Sequence, residues 1–568
     1  MTDQSTAAAP SDSAVNRIAD AYVVDVCAVD PLAATFFGVP GYDDQLPDLS
    51  VDGYAERERL AREALAAMLE AQPANDREQV ARDAFVERLE VMIDQYDAKT
   101  PQSQISVITS ELHSIRGVFD LMSTDGDDAW SAIDSRLARI PEAVAQYEAT
   151  LVTNADAGSV SAKRQIDAIA GQIRAWTGQD GAGTDFFSDL VASAEVGDAL
   201  STELVLHARE ASAAFAAFGE FLENDLHARG RDADGVGRDR YAPESRSFLG
   251  AVVDLDETYA WGWDELKRIE DEMAAVSDRI VPGGNVDEAV KALDSDPART
   301  ISGKDAFRGW MQELADKTID EMADVHFDIP EPVRRIECCI APTNDGGIYY
   351  TGPSEDWSRP GRMWWAVSDG ITDFSTWREV TTVYHEGVPG HHLQVAQTAY
   401  RRDLLNRWQR TMCWVSGHGE GWALYAERLM DDLGYLDDPG NKLGMLDGQA
   451  LRAVRVVIDI GMHLDLPIPA DNPFGFHPGE KWTFDLGLEF MRQHCRQPDP
   501  VIQFELNRYL GWPGQAPSYK VGERIWLQAR DDVRRRRGSD FDLKQFHRAA
   551  LDLGSLGLDP LQVALARL

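Results

Sequence analysis

A mainly α-helical chain with one small β-sheet is predicted from three features of the sequence. Apolar residues recur at three- and four-residue spacing through most of the first 330 positions. Near residue 330 the texture changes: Pro330 and Pro332 break the helical pattern, and short runs rich in β-branched and aromatic residues follow. After residue 375 the helical period resumes.

The chain divides accordingly into a tail over 1–14, a helical half over 15–330, and a second half over 331–568. The tail, rich in Ala, Ser and Thr, reads as disordered. Tyr54–Gln72 and Glu78–Asp97 carry apolar stripes with charges between them, and 134–177, 185–228 and 244–280 repeat the pattern. Ser302 with Asp305 gives a capping-type start to a helix running to Met322. Arg335–Ile340, Gly347–Thr351 and Arg362–Val367 read as strands. The edge of such a sheet can bond an extended peptide, which makes Tyr349 a candidate substrate contact; a purely structural insert is the other reading. Thr376 and Glu379 form a capping box for a helix bearing Val380, Val383 and Tyr384 on its apolar side. Further helices are predicted over 419–433 and 451–463, with Pro/Gly-rich loops at 472–479 and 510–517.

The 568 residues, 44% of them hydrophobic, suffice for a large core. A net charge of −41 argues against nucleic acid and against an anionic membrane surface, since both need clustered Lys and Arg. Cys27, Cys338, Cys339, Cys413 and Cys495 form no CxxC pair, so neither a disulfide framework nor a thiolate metal site is expected. The start has no basic region followed by an apolar run, and no stretch is long enough to span a bilayer. These features lead to the expectation of a soluble cytoplasmic protein.

The segment His385-Glu386-Gly387-Val388-Pro389-Gly390-His391-His392 sets three imidazoles beside a carboxylate. Two neutral imidazoles and a carboxylate can hold a zinc ion with one position open to water, while a second carboxylate takes the water's proton. The usual helical motif places its histidines at i and i+4. Here His391 stands at i+6, about 240° around the axis, and His392 at i+7 is about 10 Å further along it. Neither shares an ion with His385 on an ideal helix. Gly387, Pro389 and Gly390 are poor helix formers and are expected to open a bulge or kink that brings His391, or else His392, back to His385.

A third ligand is expected from a separate helix. Glu420 fits, with His418 as a rival. Glu427, seven residues on and on the same face, is placed to orient a ligand histidine. Glu386 is the candidate general base.

Together, His385-Glu386…Gly390-His391-His392-Leu393-Gln394, Glu420-Gly421-Trp422…Glu427, Arg455…Asp459…His463 and Pro513-Gly514-Gln515…Tyr519-Lys520 resemble the DUF885 family, most specifically over residues 335–530. The site is more distantly similar to the helical carboxypeptidases and oligopeptidases of the M32 and M3 families. Their Gly-His aligns with Gly390-His391 once two residues are inserted. Their later glutamate pair aligns with Glu420 and Glu427. The resemblance implies a large helical zincin-like metallopeptidase fold, one Zn²⁺ ion, and a site in a channel between the two halves. It also implies that Tyr519, after a Gly/Pro-rich loop, donates to the oxyanion; a buried structural tyrosine is the alternative.

Other candidates follow from spacing. His463 lies four residues after Asp459, so the pair can share a helix face and serve either substrate or the interior. Arg455 and Asp459 are spaced for an intrahelical ion pair. Arg508 can receive a substrate carboxylate, and His392 can bond substrate or Glu420. The function expected is zinc-dependent hydrolysis of peptide bonds in short substrates. A metal-dependent hydrolase of a non-peptide amide or ester, or a non-catalytic metal-binding protein, is the alternative.

Overall fold

The computed structural model describes residues 12–181, 185–341, 347–355, 357–368 and 370–567. Of the expected tail, residues 1–11 lie outside these. Ser13 already caps the first helix, its hydroxyl accepting from Asn16 N at 3.2 Å, so helical structure begins at Ala14. The chain is 67% helical, and the described residues form two small sheets.

The long apolar stripes become α1 (Ala14–Val29), α2 (Val51–Glu70), α3 (Asp76–Asp97), α4 (Asp127–Asp156), α5 (Lys163–Trp176), α6 (Asp198–Phe221), α7 (Arg238–Leu249), α8 (Leu255–Ile280) and α9 (Lys304–Met322). Three of the predicted helical stretches are each divided. The stretch 134–177 splits into α4 and α5, and 185–228 into a short helix at Phe186–Ala192 and α6. The stretch 244–280 splits into α7 and α8, because the Asp254 carboxylate caps a fresh start by accepting from Asp256 N and Glu257 N.

The strands are β1 (Thr300–Ser302), late in the first half, and β2 (Ile336–Ile340), β3 (Ile348–Thr351), β4 (Gly361–Trp365) and β5 (Asp373–Ser375) in the second. β2, β4 and β3 form one sheet in that order, with β2 parallel and β3 antiparallel to β4. β1 pairs with β5. Then come α10 (Thr376–Glu386), α11 (His391–Tyr400), α12 (Ser416–Asp432), α13 (Pro439–His463), α14 (Asp499–Gly511) and α15 (Ser518–Arg537).

Neither predicted capping pair forms. Ser302 is a strand residue bonded to Asp373, and α9 is preceded by Gly303. Thr376 donates instead to the Arg299 carbonyl, and Glu379 accepts from the Trp365 indole at 3.2 Å. Ser302, Thr376 and Glu379 are each drawn into tertiary bonds instead.

Two apolar cores result. One lies among α4, α5 and α6, around Leu137, Ile140, Ile173 and Phe215. The larger runs from α1 through α8 and α9 to the sheet and helices α10–α15. Within it α12 and α15 cross at touching backbones. A Cβ on Gly421 would lie 2.4 Å from the Gly522 carbonyl carbon, so only glycine permits the approach. That crossing sets Glu420 beside the start of α15.

Candidate metal centre

The site is built where α10 stops. His385 and Glu386 are its last two residues, and the next four form a tight turn before α11 begins at His391. The chain is therefore broken into two helices rather than bulged within one. Gly390 N donates to the Tyr384 carbonyl at 3.0 Å, and the Trp422 indole donates to the Pro389 carbonyl at 2.9 Å. Gly390 lies flat on the end of α10: a Cβ there would fall 2.0 Å from the His385 carbonyl oxygen. The break turns α11 so that its first residue faces the last turn of α10. The His385 and His391 rings stand 4.8 Å apart, nearly perpendicular.

Glu420, from the first turns of α12, completes the group. Its Oε2 lies 3.4 Å from Nε2 of His385 and 3.4 Å from Nε2 of His391. Glu420 is half-buried, but this oxygen is itself buried and has no hydrogen-bond partner among the described residues. Two donors about 2.1 Å from one ion at the tetrahedral angle stand about 3.4 Å apart. The separations thus suit donors to a shared cation. Among the described residues, His385, His391 and Glu420 are the one group of at least three His, Cys, Asp or Glu side chains so placed.

The surroundings fix which nitrogen faces the centre. Nδ1 of His385 donates to Glu427 Oε1 at 2.7 Å, leaving Nε2 for the centre. Glu427, in turn, accepts the Thr381 hydroxyl at 2.6 Å. Burial pulls the His385 pKa down, but the Glu420 and Glu427 carboxylates outweigh it and carry it up to about 9. The two imidazoles hold the Glu420 carboxyl well below its usual range against the penalty of burial. Glu386 is also buried, and its Oε2 has no hydrogen-bond partner. Burial raises its pKa, which suits a carboxylate meant to collect a proton. Three carboxylates around two imidazoles leave a negative site for a cation to offset.

The other predicted residues take different places. His392 turns away: its Nε2 donates to the Val333 carbonyl at 2.7 Å and its Nδ1 accepts the Tyr350 hydroxyl at 2.9 Å. Bonded on both nitrogens, it is neither a ligand nor a partner of Glu420. His418 accepts from Gln394 at 3.2 Å and lies outside the group. Tyr349 stacks on Trp364 on the exposed side of the sheet. Its neighbour Tyr350 points the other way, to His392, and burial, helped by the Glu386 carboxylate, raises the pKa of its phenol. Alternation along a strand puts only one of two adjacent tyrosines on the helix side, and sequence did not say which.

His463 is buried at the end of α13, donating from Nε2 to the Tyr509 carbonyl at 3.0 Å. It is not at the centre. Its Nε2 is 3.9 Å from Asp459, which instead accepts from Tyr241 at 2.6 Å and Gly514 N at 2.9 Å. The expected Arg455–Asp459 pair is replaced by Arg455–Glu505 at 2.7 Å, since α14 brings a free carboxylate closer. Arg508 is held by Glu505 at 2.9 Å and Gln515 at 2.8 Å. Tyr519, half-buried in the first turn of α15, lies under the Arg455 guanidinium at 4.7 Å. Sequence reasoning missed Thr381, Tyr350 and Trp414. The last is a half-exposed indole 6.0 Å from the His391 ring.

The chain belongs to the family described as "Bacterial protein of unknown function (DUF885)", whose model matches residues 31–565. No curated protein matches it. The fold is shared with two solved structures. One is described as "the putative lipoprotein from Colwellia psychrerythraea": 21% identity, TM-score 0.81, 98% of this chain and 99% of that one. The other, "a putative lipoprotein of unknown function from Shewanella oneidensis", gives 17% identity and TM-score 0.73, over 97% and 99%.

These neighbours correct the cytoplasmic expectation. Both are described as putative lipoproteins and align over nearly the whole of this chain, whereas that expectation rested on the character of the first residues and on the lack of a membrane-spanning stretch. Among the described residues no helix is long and apolar enough to cross a membrane.

Proposed function

We propose that this chain is a zinc-dependent hydrolase of amide bonds in short peptides, with the zincin-like metallopeptidase plan that its motifs resemble. The observation that carries the reading is Glu420 Oε2, buried without a hydrogen bond and equidistant from two imidazole nitrogens. Two His and one Glu form the donor set that favours zinc among common divalent ions. His385, His391 and Glu420 would hold the ion, and when bound it would supply an activated water and a Lewis acid for the scissile carbonyl.

The remaining work falls to the chain. Glu386 takes the proton of the attacking water and returns it to the leaving amine. Burial, which raises its pKa, strengthens it as a base. Glu427 holds His385 in the tautomer that presents Nε2. Tyr519, whose hydroxyl makes no hydrogen bond to the described residues, is the candidate donor to the oxyanion.

Elemental analysis of the purified protein, joined to cleavage of a peptide library with and without chelator, tests this. Zinc at one ion per chain, with chelator-sensitive cleavage abolished by Glu386→Gln, is expected. Metal-free protein, or cleavage indifferent to Glu386→Gln, would overturn the reading.

A further inference from the structure

α13 packs against α10, which ends at the metal centre, and against α15. Gly448, Arg452, Arg455 and Asp459 are spaced four, three and four residues apart, so they share one face of α13. The register against α10 is fixed by Arg378, which pairs with Asp447 at 2.9 Å. Five residues on, Arg452 is near enough for its charge to act on both Glu386, the last residue of α10, and Glu427. Beyond it, Arg455 covers Tyr519.

The arginines here differ in one respect. Arg455 and Arg508 both bond Glu505, at 2.7 and 2.9 Å. Arg452 has no carboxylate within 4 Å among the described residues. Its one hydrogen bond goes to the Gly448 carbonyl on its own helix, at 3.1 Å. Its Nε, like that of Arg508, is buried with no hydrogen-bond partner among the described residues. The chain has 96 acidic residues against 55 Lys and Arg, so carboxylates are abundant. An unpaired, partly buried guanidinium is costly in such a protein. Its planar fork matches a carboxylate in bidentate fashion.

We propose that Arg452 receives the free α-carboxylate of the substrate. This rests on the hydrolase reading above and names its substrate class: peptides with an unblocked C-terminus, cut at a bond whose distance from that end Arg452 sets. Arg508, neutralised by Glu505 and bonded to Gln515, is not that receptor.

The test is calorimetric binding of an N-acetylated tripeptide and of its C-terminal amide to the zinc-loaded Glu386→Gln chain, where turnover does not interfere. The free acid is expected to bind on the order of 10- to 100-fold more tightly than the amide. Adding Arg452→Ala removes that preference by weakening the acid alone, with zinc content unchanged, and Arg452→Lys restores part of it. Equal affinities for acid and amide, equal weakening of both by Arg452→Ala, or binding of neither would overturn the proposal. If Arg452 serves only to offset Glu386 and Glu427, the two ligands lose affinity together. Absence of hydrolysis by the unmodified chain would count against the hydrolase reading, while the acid-to-amide ratio still decides the role of Arg452.

Discussion

Glu427 stands directly behind His385, its Oε1 2.7 Å from Nδ1 and its other oxygen 2.6 Å from the Thr381 hydroxyl. The imidazole can therefore neither flip nor exchange tautomer without breaking a buried charge-assisted bond. Such a partner tunes a ligand without touching the ion. Glu427→Ala is expected to weaken zinc binding about 10- to 100-fold. Glu427→Gln, which keeps an acceptor for Nδ1–H but not the charge, should fall between. Competition against a chromophoric chelator measures this, and an unchanged affinity in Glu427→Ala would refute it.

His391 and His392 are adjacent, and their substitutions should fail in opposite ways. His391 faces Glu420, whereas His392 joins the Val333 carbonyl to the Tyr350 hydroxyl. His391→Ala should abolish stoichiometric zinc with little loss of the metal-free chain's stability. His392→Ala should retain zinc while costing on the order of 3 kcal/mol, because it leaves a buried carbonyl and a buried hydroxyl unpaired. Metal content and urea unfolding of both variants give the answer. The reverse pattern would show that the two residues have been assigned the wrong way round.

Gly390→Ala tests the turn itself. The added methyl would meet the His385 and Tyr384 carbonyl oxygens at 2.0 and 2.5 Å, both backbone atoms that cannot swing aside. The end of α10 or the start of α11 must shift. A stability loss of about 1–3 kcal/mol is expected, together with weakened zinc binding, since the two ligand histidines flank the turn. A variant with undiminished stability and metal content would show that the turn yields without cost.

The cluster of His385, His391 and Glu420 was legible as a candidate because its chemistry is written in residue types, although the choice between His391 and His392 was not. An interruption was legible too, since Gly-Val-Pro-Gly disfavours helix, but it was expected as a bulge or kink and is a full break into two helices. What spacing does not encode is partner choice across elements. Arg455 and Asp459 are spaced for each other, yet Arg455 goes to Glu505 from another helix and Asp459 to Tyr241 and Gly514. Thr376 and Glu379 match a capping box, yet each finds a tertiary partner in a segment that sequence does not place nearby. The same blindness applies to Tyr349 and Tyr350, where strand alternation requires opposite faces without naming them. Local rules lost wherever a long-range bond could satisfy the same atoms.

Asp459 supplies a pH signature away from the metal centre. Burial raises its pKa to about 7, despite the hydrogen bonds from Tyr241 and the Gly514 amide. Both bonds fall on Oδ2, and Oδ1 has no hydrogen-bond partner, as suits the protonated oxygen of a neutral acid. Between about pH 4 and pH 7 the unfolded chain has lost this proton while the folded chain retains it, so stability falls as pH rises through that window. The group's share of the decline is on the order of 4 kcal/mol. Below the window both states are protonated, and above it both are ionised, so the contribution is flat on either side. Asp459→Asn presents an amide oxygen to Tyr241 and Gly514 and an uncharged group where Oδ1 stood. Its unfolding free energy relative to the unmodified chain should therefore rise steadily from pH 4 to pH 7 and level off above. A difference that stays constant across this range, measured by urea unfolding at each pH, would mean that Asp459 is ionised in the folded protein.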